Sequence, residues 1–353
     1  MGKVTGTSNI GQIDELQRAL TETIERARVE QDDREKKKLI LNIEKYNSRI
    51  DKLRSGRMIS RQTRRDLIAY SFIAPNFIGF CVFTLIPIIF AFALAFMKWD
   101  GSNPVSFEGI DNFKRLWGDT FFKAAFKNTI IYCIGTVPLT MIASLALAII
   151  FNQKVFGRGI FRTLAFFPYV AYLVAITSVW KLLFHPSKGP VNNILYTFFH
   201  VPQENLPQWF SGGLCVLSMI LFSVWKYMGY YMVIYLAGLQ GIPGELYEAA
   251  ALDGAGTWNQ FRYITWPQLS STTFFVVVML TINCFKIYDV AVMLAGGGSG
   301  DLTVSATVLV YYIYQKAFID WDLGYSSAVA MVLFVMVLLV TIIQFRGQAK
   351  KEA

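Results

Sequence analysis

Few residues in this chain could do chemistry, and most of them interrupt long apolar runs. Lys226 falls inside the run 212–237, and Lys286 and Asp289 fall inside 272–294. A charge at bilayer depth costs about 2.5–3.5 kcal/mol on insertion scales, so such a group is a functional candidate by default. Ser223, Trp225, Tyr227 and Tyr230 surround Lys226, and Asn283 lies one helical turn before Lys286. Aromatic faces, hydroxyls, an amide and ammonium groups bind a polar solute; they do not supply a nucleophile with its base and acid. Two structural readings stand beside this one. Lys286 and Asp289, at i and i+3 on one helix face, could pair with each other, and Lys226 could snorkel toward an interface.

Other chemistry finds no support. Gly296-Gly297-Gly298-Ser299-Gly300 lacks the lysine that a phosphate-binding loop needs. His185 and His200 are not spaced as a metal pair, and the four cysteines (Cys81, Cys133, Cys215, Cys284) form no CxxC and sit in apolar runs as small hydrophobes. No ATP-binding loop, and no catalytic, cofactor or metal site, is expected on this chain.

The elements that must position these residues are apolar helices. Of 353 residues, 54% are hydrophobic and 16% charged, whereas soluble domains carry roughly 25% charged residues. About 20 apolar residues span a bilayer core as a helix. Six segments are expected to do so, near 68–96, 128–151, 161–184, 212–237, 272–294 and 326–345, with Pro75, Pro87, Pro138 and Pro168 tolerated as kinks. The net charge of +9 reflects topology, not nucleic-acid binding. Lys154, Arg158 and Arg162 in one loop and Arg346, Lys350 and Lys351 in the tail place those segments and both termini in the cytoplasm, opposite Asp301, Asp320 and Asp322. The first apolar run begins near Leu67 without a cleavage-like site, so it is expected to stay in the mature protein.

Residues 1–66 form a polar N-terminal extension. Ile13, Leu16, Leu20, Ile24 and Ala27, then Leu39, Ile43, Tyr46, Ile50 and Leu53, recur at steps of three or four. That period is helical. The charged span Glu30 to Lys38 is either a turn between two helices or a bridge within one. Arg57, Arg61, Arg64 and Arg65 then precede the first apolar run.

The most specific pattern is the loop 239–268. Pro243, followed by Glu245 and Glu248, marks a helix start with acids near the positive dipole end. Ala249, Ala250 and Ala251 let another surface approach closely, and Gly254 and Gly256 supply a turn. Glu248-Ala249-Ala250, Gly254, Ile264 and Pro267 stand in the register of the EAA motif, with Trp266 where that motif has leucine. On these residues the chain resembles the integral membrane subunits of binding-protein-dependent ABC importers.

The resemblance runs from about Leu67 to the end. It is similar in detail to the sugar-importing branch of maltose and glycerol-phosphate type permeases, through Gly109-Ile110-Asp111-Asn112-Phe113, Phe167-Pro168, Asn192-Asn193, Phe285-Lys286 and Gly324-Tyr325. Two features depart from it: Gly298 stands where the family usually has proline, and the N-terminal extension is longer than most relatives carry. The resemblance implies an all-α membrane protein of six transmembrane helices in the bacterial inner membrane, with a domain over 67–353. It implies that Glu248, Ala249, Ala250, Asp253, Gly254, Ile264 and Pro267 couple to a cytoplasmic ATPase holding ATP and Mg. Ser223, Lys226, Tyr227, Tyr230, Asn283 and Lys286 match positions along the family's translocation path for a sugar or oligosaccharide. Two cations in that path would favour an anionic substrate, such as a uronic-acid oligosaccharide. The implied partners are two ATP-binding subunits, a second permease chain, an extracytoplasmic binding protein and membrane lipid. A self-sufficient secondary transporter is the alternative, though it would need coupling-ion groups and usually internal repeats; a membrane-anchored interaction protein acting through its N-terminal helices is a third reading.

Overall fold

The computed structural model describes residues 5–30, 32–55, 61–153, 156–296 and 304–352. Arg57, Lys154, Gly297, Gly298, Ser299, Gly300 and Asp301 lie outside the described residues. The chain divides into two compact units, residues 1–89 and 90–353.

In the first unit the charged span proves to be a break: α1 (Thr5–Val29) and α2 (Asp33–Ser55) are separate helices that pack on each other. Asp32 starts the second one, its carboxylate accepting from the Arg34 backbone N–H at 2.9 Å. Helix α3 (Arg61–Phe80) continues through a π-helical turn, Cys81–Leu85, into α4 (Ile86–Leu94). Pro87 explains the π turn. A proline ring collides with the carbonyl four residues back in a regular helix, and the wider turn relieves the clash. Together these pieces make a 30-residue apolar helix over Arg65–Leu94.

The second unit opens with a short antiparallel hairpin, β1 (Met97–Lys98) and β2 (Ser106–Phe107), followed by α5 (Asp111–Gly118). Asp119 caps α6 (Thr120–Asn152), accepting from the Phe121 and Phe122 backbone N–H groups at 2.8 and 3.1 Å. Two of the orphan donors of that helix end are thereby satisfied. Next come α7 (Arg158–Val170), α8 (Leu173–Leu183), α9 (Pro190–Phe199) and α10 (Cys215–Gln240). The chain then runs through α11 (Gly244–Leu252), α12 (Thr257–Gln260), α13 (Trp266–Gln268) and α14 (Ser270–Phe285). It finishes with α15 (Asp289–Ala295), α16 (Leu309–Tyr314) and α17 (Leu323–Glu352).

Among the described residues, four helices are long and apolar enough to cross a membrane alone: Arg65–Leu94, Thr120–Asn152, Gly212–Gln240 and Leu323–Ala349. Two bent pairs bring the number to as many as six. The expected segment 161–184 is not one straight span, because α7 and α8 meet at 97°, where Ala171 and Tyr172 take extended backbone. The expected segment 272–294 is likewise broken: α14 stops at Phe285 and α15 starts at Asp289.

Helix α10 is the centre of the packing, lying against α6, α7 and α14. Its Gly229 shows how close the approach is. A Cβ there would sit 1.8 Å from the Ala165 carbonyl oxygen of α7. Membrane helices gain much of their association from such backbone contact at small residues. Buried Tyr132, Met219, Phe222, Cys284 and Leu294 form one core region, and Leu145, Tyr235, Leu269 and Leu280 another.

Candidate functional site

A cavity of about 580 Å³ opens where α6, α7, α10 and the broken end of α14 converge. Lys226, Tyr227, Tyr230, Asn283 and Lys286 all line it. Ser223 does not. It is buried one layer behind, where its Oγ accepts a 2.7 Å hydrogen bond from the hydroxyl of Tyr132, which does face the cavity.

The wall also holds tyrosines outside the expected path residues. Tyr132, Tyr169, Tyr231 and Tyr288 join the two expected tyrosines. Tyr169 stacks on Tyr230 with ring centroids 4.3 Å apart and planes 19° apart, and Tyr231 meets Tyr230 edge-on at 4.9 Å. Asn283 Nδ2 donates to the Tyr231 hydroxyl at 3.3 Å, which orients both side chains. The Lys226 ammonium lies 5.8 Å from the Tyr227 ring centroid, within reach of a cation–π attraction.

The charges follow the helix break. Lys286 caps the C-terminal end of α14 and Asp289 opens the first turn of α15. Each sits at the dipole end that its charge suits. The two therefore do not share one helix face, as their spacing alone would place them, and among the described residues no ion pair joins Asp289 to either lysine. The arrangement can hold a hydroxylated solute between aromatic faces and hydrogen-bonding groups, with ammonium groups placed for an anionic substituent.

The second candidate region is the loop 239–268. Helix α11 ends in a Schellman motif: Ala255 N–H donates to the Ala250 carbonyl at 2.9 Å, and Gly254 N–H to the Ala251 carbonyl at 3.1 Å. Asp253 is the C-cap, and Gly254 holds φ at +77°, the left-handed region that glycine tolerates best. Glu245 alone lies in the first turn; Glu248 falls one turn later. Glu248, Ala249, Asp253, Gly254 and Pro267 are exposed, while Ala250 and Ile264 are half-buried. The two arms are tied by a 2.9 Å hydrogen bond between the Tyr247 and Thr265 hydroxyls. Pro267 again follows a π turn, Phe261–Thr265, and α14 departs at 66° just beyond it.

Residues 129–348 match the model of the binding-protein-dependent transport system inner membrane component family. The chain belongs to that family. The probable ABC transporter permease protein YesP of Bacillus subtilis is 37% identical over 292 residues, covering 81% of this chain and 92% of that one. The lactose transport system permease protein LacF of Rhizobium radiobacter is 31% identical over 290 residues, covering 81% and 96%. Among solved structures, a chain of a bacterial ABC transporter involved in import of the acidic polysaccharide alginate superposes with a TM-score of 0.71 at 22% identity, covering 82% of this chain and 98% of that one. That likeness carries the fold. The chain is thus a multi-pass permease subunit, a membrane component without catalytic chemistry of its own.

Proposed function

We propose that this permease forms the translocation path for a sugar or oligosaccharide in an ATP-driven importer. The observation that carries the reading is the cavity itself: six tyrosines, Asn283 and two lysines meet at an interrupted membrane helix. Relatives with lactose, arabinooligosaccharide and glycerol-phosphate transport names support the substrate class. Lys226 and Lys286 outnumber Asp289 on the wall, which favours a saccharide bearing a negative charge. Six spans, with both termini in the cytoplasm, put the loop 239–268 on the ATPase side.

In this reading α11 inserts into a groove of a partner ATPase subunit, which holds ATP and Mg. Glu248, Ala249, Ala250 and Asp253 form the contact, Gly254 sets the turn, and Ile264 and Pro267 carry the motion into α14. That helix runs to Phe285, with Lys286 as its cap, so a tilt passed to it across the 66° bend reaches the cavity wall. A second permease chain and an extracytoplasmic binding protein complete the assembly. The test is uptake of labelled oligosaccharides into proteoliposomes containing the permease pair, the ATPase and the binding protein. The account expects uptake only with ATP inside; uptake driven by an ion gradient without the ATPase would replace it with a secondary transporter.

A further inference from the structure

A second cavity, about 610 Å³, lies apart from the first, between α6 and the second arm of the loop 239–268. Its floor is one face of α6: Met141, Ile142, Leu145, Ala146 and Ile149. Those positions follow the helical period and run about 12 Å along the axis. Trp258 of α12, Phe261 and Arg262 of the π turn and Trp266 of α13 form the opposite wall. The rings make a ladder, with centroids 5.6 Å apart from Trp258 to Phe261 and 6.4 Å from Phe261 to Trp266.

Two features indicate what fills this groove. It is apolar apart from one cation: among the described residues, Arg262 is the only charged side chain on its wall. That guanidinium is uncommitted. Its carbon lies 5.9 Å from the Tyr263 ring centroid, and among the described residues no carboxylate pairs with it. A guanidinium at the mouth of an apolar groove suits a ligand with an anionic head and an apolar tail, because its fork matches phosphate oxygens. The second feature is the exposure of aromatic rings on a loop. Trp258 is 68% exposed, Tyr263 70% and Trp266 40%. Tryptophan and tyrosine collect where a membrane protein passes headgroup level, and α6 ends at Asn152, three residues beyond the groove. A protein helix packed here would leave the guanidinium facing hydrocarbon unless it brought a carboxylate; a phospholipid brings its own anion.

We infer that this groove binds an anionic phospholipid of the cytoplasmic leaflet, its phosphate on Arg262 and an acyl chain along α6. The inference rests on the proposed topology, which puts the loop 239–268 on the cytoplasmic side, where basic residues meet anionic headgroups. Its consequence is mechanical. The outer wall of the groove is the arm that carries Ile264 and Pro267 between α11 and α14, and the Tyr247–Thr265 hydrogen bond ties that arm to α11. A lipid seated between the arm and α6 braces the loop, so the coupling depends on the lipid.

The experiment puts a photoreactive phenylalanine analogue at Ile142 in the full chain, kept with the proteins that copurify with it, in vesicles of phosphatidylethanolamine with a minority of phosphatidylglycerol. Leu339 of α17, 55% exposed, carries the same analogue as a control for bulk lipid. The expected result is a lipid adduct at Ile142 enriched in phosphatidylglycerol about fivefold over the adduct at Leu339, the ratio that one cation near an anionic headgroup gives. Arg262→Gln should return the ratio to the bulk value, and Arg262→Lys should keep most of it. Ala146→Phe, which fills the groove from an exposed position, should also abolish the enrichment. Leaving phosphatidylglycerol out of the vesicles should lower ATP-driven uptake several-fold in the wild type and little in Arg262→Gln. Equal ratios at the two positions, enrichment that survives Arg262→Gln, or an adduct with a second permease in place of lipid would each overturn the site, and enrichment without any fall in uptake would overturn the bracing. Loss of the ATPase from the wild-type complex would instead count against the importer reading, while the adduct ratio would still decide the lipid site.

Discussion

The loop 239–268 and the 580 Å³ cavity are the two regions on which transport would depend, and they are built in opposite ways. The loop is local. Its helix start, its Schellman turn at Gly254 and the Tyr247–Thr265 tie involve residues within 18 positions of each other. The cavity is assembled from six helices, and Asn283 meets Tyr231 across 52 positions. A local device is fixed by backbone geometry, so one residue can destroy it. An assembled wall shares its contacts, so single losses there should be graded.

That contrast orders the expected effects. Gly254→Asp should be the largest, abolishing ATPase copurification, because a Cβ at φ +77° is strained and the Schellman turn is lost. Gly254→Asn, which tolerates the left-handed region better, should retain part of the binding. Equal loss in both variants would show that charge or bulk, not backbone geometry, governs the loop. Next, Lys226→Ala with Lys286→Ala should lower uptake of an anionic oligosaccharide by at least tenfold and of a neutral one much less. Unchanged uptake of both would remove the lysines from substrate contact.

A smaller effect is expected at Tyr169, which stacks on Tyr230. Aromatic pairs contribute about 0.5–1.5 kcal/mol beyond area burial, so Tyr169→Leu should raise the half-saturating substrate concentration several-fold without altering expression. Ser223→Ala removes the acceptor of the buried Tyr132 hydroxyl. It should cost about 1–3 kcal/mol in thermal or denaturant stability, with uptake per folded molecule unchanged; a specific uptake defect would move Ser223 into direct substrate contact.

The smallest expected effect concerns pH. Burial pushes the Asp119 carboxyl up, but hydroxyl donation from Tyr312 and Tyr325 and the two backbone N–H groups at the start of α6 outweigh it, so its pKa lies below the usual 3.8. A lowered folded pKa stabilises above the unfolded value, and the contribution fades as pH falls through the folded one. Acid unfolding of Asp119→Asn should therefore lose part of the wild type's pH dependence below about pH 4. An unchanged acid profile would mean that the tyrosine bonds do not favour the charged carboxylate.

The same contrast explains what the residues disclosed in advance. Gly254, Pro267 and the alanines are legible because each imposes a backbone geometry that its own type dictates. The long apolar helices are legible from run length. Pro168, three residues before the 97° bend at Ala171–Tyr172, reads in sequence only as a kink, and the break at Lys286–Tyr288 carries no glycine or proline, so the apolar runs there look continuous. Tyr132, Tyr169 and Tyr231 stayed hidden because a tyrosine in an apolar helix reads alike whether it faces lipid, core or cavity; only the packing of α6, α7 and α10 separates these cases. Ser223 shows the converse. It lies one turn before Tyr227 in sequence, yet its hydroxyl turns to Tyr132 and away from the opening.

The measurement that bears most directly on the account is a mild-detergent pull-down of the tagged full chain, wild type against Gly254→Asp. The account predicts that an ATPase and a second permease copurify with the wild type and that the ATPase alone is lost from the variant. A wild-type chain that retains its fold and brings down no ATPase would contradict it.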